Sequence, residues 1–325
     1  MSFSKKACAL SLYLFVAMSP ATFASCGTAS CPLELGHDIE AGKWQLGLSF
    51  ESIVQDAVYV NSTPSDIGAI SGHHDEVETV NNKWNLSLNH ALSDQWTFGA
   101  ELPLVHRKHF HIHNHHGETL NEVWNYTAIG DMSIGTEYSW IKDGKSEWKI
   151  KTTAALKLPT GATDMVNGDG DEAEVSIQPG SGSYDTTWGI QIEKSLFTYA
   201  VSPATYASIP LKIGYQYICT GYGTDSWKNG NKGIITLGTG YMLSPNTTVG
   251  VDFHALFIAK AEAGTTGENI NNTGGKWLFF SPSLQTTFWD QTTFHITAQM
   301  PLYRNVNGIQ ITSDLNLRMG VSTTF

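Results

Sequence analysis

The stretch Gly308–Phe325, GIQITSDLNLRMGVSTTF, separates into two sets when its residues are taken alternately. Ile309, Ile311, Leu315, Leu317, Met319, Val321 and Phe325 fall on one side, interrupted by Ser313 and Thr323. Gln310, Thr312, Asp314, Asn316, Arg318, Gly320, Ser322 and Thr324 fall on the other. Successive side chains of a strand point to opposite faces, so the pattern predicts a single strand with one apolar and one polar side. A half-buried strand of a soluble sandwich alternates in the same way, but usually over about 5–6 residues. A tilted strand crossing a bilayer needs ~9–11 residues, and any surplus projects into water.

The alternation recurs along the chain. Trp44, Leu46, Leu48 and Phe50 oppose Gln45, Gly47, Ser49 and Glu51; Trp84, Leu86 and Leu88 oppose Asn85, Ser87 and Asn89. Trp96, Phe98, Ala100, Leu102 and Leu104 form another apolar set, as do Met132, Ile134, Tyr138 and Trp140. So do Trp148, Ile150, Ala154 and Leu156, then Val249, Val251, Phe253, Ala255 and Phe257, then Phe294, Ile296, Ala298, Met300 and Leu302. Weaker alternation near 182–199, 204–219, 232–243 and 276–288 completes a count of twelve strands with the terminal one.

The connections alternate in length. Short turns are expected at Leu92–Gln95, Lys142–Ser146, Val201–Ala204, Ser244–Asn246 and Trp289–Gln291. Longer loops are expected at Asn61–Val77, Arg107–Asn121, Thr160–Gly180, Gly221–Asn231 and Glu262–Gly275, with only the last, Arg304–Asn307, brief. Short periplasmic turns and long outer loops on an even number of strands characterise outer-membrane barrels. Trp, Tyr or Phe opens or closes many strands, as interfacial girdles require. The fold class is therefore all-β: a single closed antiparallel transmembrane β-barrel over 43–325, its apolar set on lipid and its polar set in the lumen. A soluble sandwich would invert those faces.

Composition agrees. Charged residues make up 15% of the chain and aromatics 11%, against ~25% charged in ordinary soluble domains. No segment approaches eighteen consecutive apolar residues, which argues against a helical membrane protein. The formal net charge of −11 argues against a nucleic-acid partner. The expected partners are outer-membrane lipid and a small-molecule or ion solute. At the other end of the chain, Lys5 and Lys6, the apolar run Ala7–Met18 and Thr22-Phe23-Ala24 predict a secretory signal peptide over 1–24. A periplasmic segment, 25–42, then carries Cys26 and Cys31 ahead of His37. In an oxidising compartment those two cysteines suit a small disulfide loop or, with His37, a metal site. Cys219 stands apart and reads as an unpaired structural thiol.

Four short motifs carry a family resemblance: Ala100-Glu101-Leu102-Pro103-Leu104, Ile129-Gly130-Asp131-Met132, Leu158-Pro159-Thr160-Gly161 and Gln178-Pro179-Gly180-Ser181-Gly182-Ser183. In this order and spacing they resemble the outer-membrane barrel family named for the MetA pathway of phenol degradation, whose members are described as transporters. The aromatic Phe325 likewise resembles the last residue of bacterial outer-membrane barrels, part of the signal read by their assembly machinery. The resemblance implies the fold and a transport role and identifies no solute.

His106, His109, His111, His113, His115 and His116 make up half of the chain's twelve histidines. Imidazoles at alternate positions of an extended segment suit Zn²⁺, Cu²⁺ or Ni²⁺; a polar loop that merely tolerates histidine is the plain alternative. The pair His73-His74 lies in the preceding loop. Asp164, Asp169, Asp171, Glu172 and Glu174 make the third loop acidic. They lack the ordered spacing of an EF-hand, so Ca²⁺ is the weaker expectation and a solvated loop, free or folded into the pore mouth, the stronger. On the lumen set, Lys149, Lys151, Lys157, Lys212 and Arg318 face Glu51, Glu101, Asp131, Glu137, Glu193 and Asp252. These charges form either separated rings that set ion preference or structural ion pairs filling a narrow barrel.

No Gly-x-Ser-x-Gly, His-Glu-x-x-His or Cys-x-x-Cys-His motif is present. His254 and His295 fall on the lumen set, away from the lipid that a surface hydrolase would attack. The expected function is passive passage of a small solute without a bound cofactor, with a metal link through the His-rich loop. The alternatives are a lipid hydrolase and a metal-binding surface protein without a conducting pore.

Overall fold

The computed structural model describes residues 39–70, 74–115, 118–141, 147–203, 205–264, 267–289 and 291–325. The strands of the wall are β1 (Trp44–Gln55), β2 (His74–Ala91), β3 (Trp96–His115), β4 (Glu118–Ile129), β5 (Ser133–Ile141), β6 (Trp148–Lys157) and β7 (Asp185–Ser202). They continue as β8 (Thr205–Cys219), β9 (Lys232–Ser244), β10 (Thr247–Ile258), β11 (Gly275–Phe288), β12 (Thr292–Val306) and β13 (Asn316–Thr324). β4 and β5 are two lengths of one stave, since both pair with β3, along Leu104–His115 and Trp96–Glu101. Twelve antiparallel staves result, and β1 closes the wall by pairing with both β2 and β13.

β1 shows which face is which. Trp44, Leu46 and Leu48 are exposed, whereas Gln45, Ser49 and Glu51 are buried. Apolar residues outside and polar residues inside is the inverse of a soluble core, and closure leaves no unpaired strand edge in the apolar belt. Trp44, Trp96, Trp140 and Trp148, all exposed, collect at the short-turn end as an aromatic girdle. Trp44 and Phe325 exchange backbone hydrogen bonds of 2.9 Å at this end, where the chain enters and leaves the wall. The protein is an outer-membrane β-barrel.

Several boundaries differ from the expectations. Gly308–Phe325 is not one strand. Ile309–Thr312 leaves the wall to pair with Ala57–Val60, which also pairs with Thr63–Pro64. Between the two pieces, Ser313 donates to Asn316 (2.6 Å) and Asp314 receives Arg304 (2.6 Å). Turn-like side-chain bonds thus interrupt a stretch whose parity runs on. The final loop is longer than expected, because β12 ends at Val306 and β13 starts at Asn316.

The region Arg107–Asn121 is not a loop either. β3 and β4 continue through it as a ladder with the register Arg107↔Tyr126, His109↔Trp124 and His111↔Glu122. Above the belt the outward positions of β3 change from Leu102 and Leu104 to His106 and Lys108, and Lys108 pairs with Glu78 at 2.9 Å. Outside lipid both faces can be polar, so the alternation fades while the strand persists.

Cys219 is disulfide-bonded, which corrects its reading as a free thiol; its partner lies outside the described residues. The signal peptide, Cys26, Cys31, His37, His73, His116 and the whole Lys142–Ser146 turn also lie outside them.

Candidate functional site

The lumen narrows where the chain between β6 and β7, residues 158–184, folds inward. Its innermost part is a short 3-10 turn, Val175–Ile177, and Ile177 is fully buried. β3 and β4 present three bulky inward side chains to meet it. Arg107 donates to the carbonyls of Ile177 and Gln178, and Tyr126 donates its hydroxyl to the Ile177 carbonyl. Trp124 donates its indole N–H to the Asp171 carbonyl at 3.0 Å. Trp124, Tyr126, Ala173 and Ile177 form one apolar cluster, joined by Met165. The loop is also tied to itself, because Gln178 receives the Met165 amide (3.0 Å) and donates to the Ala173 carbonyl (2.7 Å). Loops 220–231 and 259–274 pack Trp227, Ala261 and Ile270 against Val175, so three loops share the pore mouth. The acidic third loop therefore enters the mouth. Its tip is shaped by Asn167, whose side chain accepts the amides of Asp169 (3.0 Å) and Asp171 (2.8 Å).

The base of this loop is a knot in which the four short motifs meet. Gly130 donates to the Pro103 carbonyl (2.9 Å), Ala162 to that of Ile129 (3.0 Å) and Gly180 to that of Ala162 (2.7 Å). A Cβ on Gly161 would lie 2.7 Å from backbone atoms of both Gly130 and Gly180, so glycine permits this stack of three chain segments. Asp131 caps it by accepting from Gly161 N–H (3.0 Å), Ser181 N–H (2.9 Å) and Ser181 hydroxyl (2.7 Å). Lys157 lies between Asp131 (3.1 Å) and Asp185 (2.7 Å).

The lumen charges do not form separated rings. Lys83 pairs with Glu51 at 3.3 Å, Lys151 with Glu137 at 2.9 Å and Lys149 with Glu193 at 3.7 Å, the last partly solvated and correspondingly weak. Lys212 stands opposite Glu193 in register, and Asp252 folds over Gly238 into space a Cβ would need. Glu101 is attracted by Lys83 and Arg318 and repelled by Glu51. Between the pairs the wall is polar, and the Arg107 guanidinium is joined to Asn81 (2.6 Å) and Asn81 to Gln55 (3.0 Å) across β3, β2 and β1.

The histidines divide. His106 faces outward and bonds Thr127 at 3.0 Å. His109, His111 and His113 face inward in a row, with ring centroids 5.4 and 6.4 Å apart. Thr79 bonds His109 at 2.8 Å, Glu122 bonds His111 at 2.6 Å, and Trp124 packs on both rings. Side-chain placement of His115 lies outside the described residues. Among the described residues no three His, Cys, Asp or Glu side chains stand in a metal-holding arrangement, at the histidines or in the acidic loop.

Sequence reasoning missed Arg107, Trp124 and Tyr126 as pore-shaping residues. Their signal was parity: bulky side chains at inward positions require something in the lumen to pack on.

No protein-family model matches the chain, and no curated protein does. Among solved structures it is similar to an outer membrane channel from Pseudomonas putida F1, at 14% identity and a TM-score of 0.62, covering 90% of this chain and 100% of that one. The NanC porin (11%, TM-score 0.46, 86% and 98%) and the transport unit of the autotransporter AIDA-I from Escherichia coli (11%, 0.47, 90% and 93%) are more distant. At these identities the likeness is one of fold, and the fold shared with the Pseudomonas putida channel is the outer-membrane barrel that the four motifs implied.

Proposed function

We propose that the protein is a passive outer-membrane channel for small polar solutes, with its bore set by residues 158–184. The observation that carries this reading is the lumen itself: amide and hydroxyl side chains and paired charges line it, and one inserted loop narrows it. Lys83, Lys149, Lys151 and Lys157 each stand against a carboxylate along the wall, so a small solute meets polar groups rather than an unbroken ring of like charge. Liposomes containing the purified protein should swell in small neutral sugars and progressively less as the sugars grow. Absence of swelling with every sugar would count against a channel. A surface lipid hydrolase is disfavoured because His254 lies in the lumen, bonded to Thr236 at 3.0 Å.

Metal capture by the histidines is a separate proposal, supported by the inward row His109, His111 and His113. Neutral imidazoles suit a borderline transition metal, and these rings would have to turn from their present places to share one ion. Calorimetry with Zn²⁺, Cu²⁺ and Ni²⁺ should show exchangeable binding that is lost when His109, His111, His113, His115 and His116 become Asn. Identical titrations for both proteins would remove the metal link.

A further inference from the structure

Glu174 holds a carboxyl group that the hydrogen bonds of the pore loop leave out. Both its oxygens are shielded from solvent and accept no hydrogen bond. Burial first, then repulsion from Glu76 on β2 and Glu122 on β4, raises this carboxyl from the ordinary 4.5 to about 8. Among the described residues no cation stands in an ion pair with Glu174. Arg107 is committed to the carbonyls of Ile177 and Gln178 and to Asn81. His111 and His113 approach Glu122, at 2.6 and 3.7 Å. On the opposite side, Lys228 and Tyr222 are both bonded to Glu262, at 3.0 and 2.6 Å. The loop's own charged residues, Asp164, Asp169, Asp171 and Glu172, are all acidic.

The geometry points to Glu174 as a proton-operated latch: neutral, it lets the pore loop lie across the lumen, and ionised, it drives the loop out and widens the bore. The inference rests on the channel reading above. The glycine knot holds the loop's base, so the moving part is 163–177. An isolated carboxylate moved from water into a buried site beside two others is strongly disfavoured.

The sign follows from linkage. The inserted loop binds the proton more tightly than a withdrawn, solvated one. Insertion is therefore fully favoured below the ordinary carboxyl range and is lost as pH rises from 4.5 to about 8. Across that window the inserted-to-withdrawn ratio falls by about tenfold per pH unit.

The test measures single-channel conductance in planar bilayers between pH 5 and 9, with hydrogen exchange of 163–177 in the folded protein, corrected for intrinsic rates. Wild type should widen and lose protection as pH rises. Glu174→Gln should stay narrow and protected throughout. Glu76→Gln, which removes one repelling charge and brings the inserted carboxyl back towards its ordinary range, should shrink the wild-type pH response and serves if Glu174→Gln fails to fold. A wild type without pH response, or a Glu174→Gln profile like wild type, overturns the latch. Loss of protection at high pH in a protein that conducts at no pH would uphold the latch while removing the channel.

Discussion

Arginine in place of Phe253 should destabilise the barrel by ~2–4 kcal/mol, the cost of a lipid-facing charge near the bilayer midplane. Phe253 is central in β10, points outward and packs on Phe280 with ring centroids 5.5 Å apart. Phe253→Leu separates the charge from the ring, since it keeps an apolar side chain and should cost much less. Asn316→Lys is the lumen-side comparison. Asn316 is buried inside, where its amide donates to Gln299 at 2.8 Å, so the substitution should cost about 1 kcal/mol for that bond. Urea unfolding in lipid vesicles measures all three. Equal losses at Phe253 and Asn316 would mean the two faces of the wall are misassigned. Leu315 does not serve as the lipid-facing probe that the sequence suggested, because it precedes β13 and lies beyond the spanning strand.

Lys157→Met should be as damaging for a different reason. It leaves Asp131 and Asp185 close together with no cation between them. Their carboxylates are 6% and 10% exposed, so water compensates little. Removing one partner of a buried ion pair costs ~3–5 kcal/mol, much of it the charge left behind. Adding Asp185→Asn to Lys157→Met removes one of the two carboxylates, while Asp131 keeps accepting from Gly161 and Ser181, and should therefore restore part of the loss. If the double variant unfolds as readily as Lys157→Met, the knot depends on something other than this electrostatic balance.

The wall was readable where lipid imposed a rule. From Leu46 to Leu48 on β1 and from Phe98 to Leu104 on β3, every outward residue must be apolar and every inward one can be polar, so periodicity fixed both strand and face. The rule stops at the belt. His106 and Lys108 face water outside while Arg107 and His109 face the lumen, and a strand with two polar faces looks like a loop. The opposite error occurred at Ile309–Thr312, whose parity matched β13 although it pairs with Ala57–Val60 instead.

The pore site was hidden by sequence distance. Gly130, Gly161 and Gly180 each look like turn glycines, and their common role appears only once three segments stack at one point. The lumen charges could be listed from parity alone, but pairing depends on which staves are neighbours. Lys157 reaches Asp131 and Asp185 only because β6 lies between β5 and β7. Glu174 could not be distinguished from Asp169 or Glu172, since burial separates them and composition does not.

The central claim is that an inserted loop sets the bore of a conducting barrel. Its most direct measurement is single-channel conductance in planar bilayers, comparing wild type with a variant whose residues 163–177 are replaced by a short Gly-Ser link, at one pH and salt. Discrete openings in wild type and several-fold larger ones in the variant are expected. A barrel that stays electrically silent in both forms, or conducts equally in both, would contradict the claim.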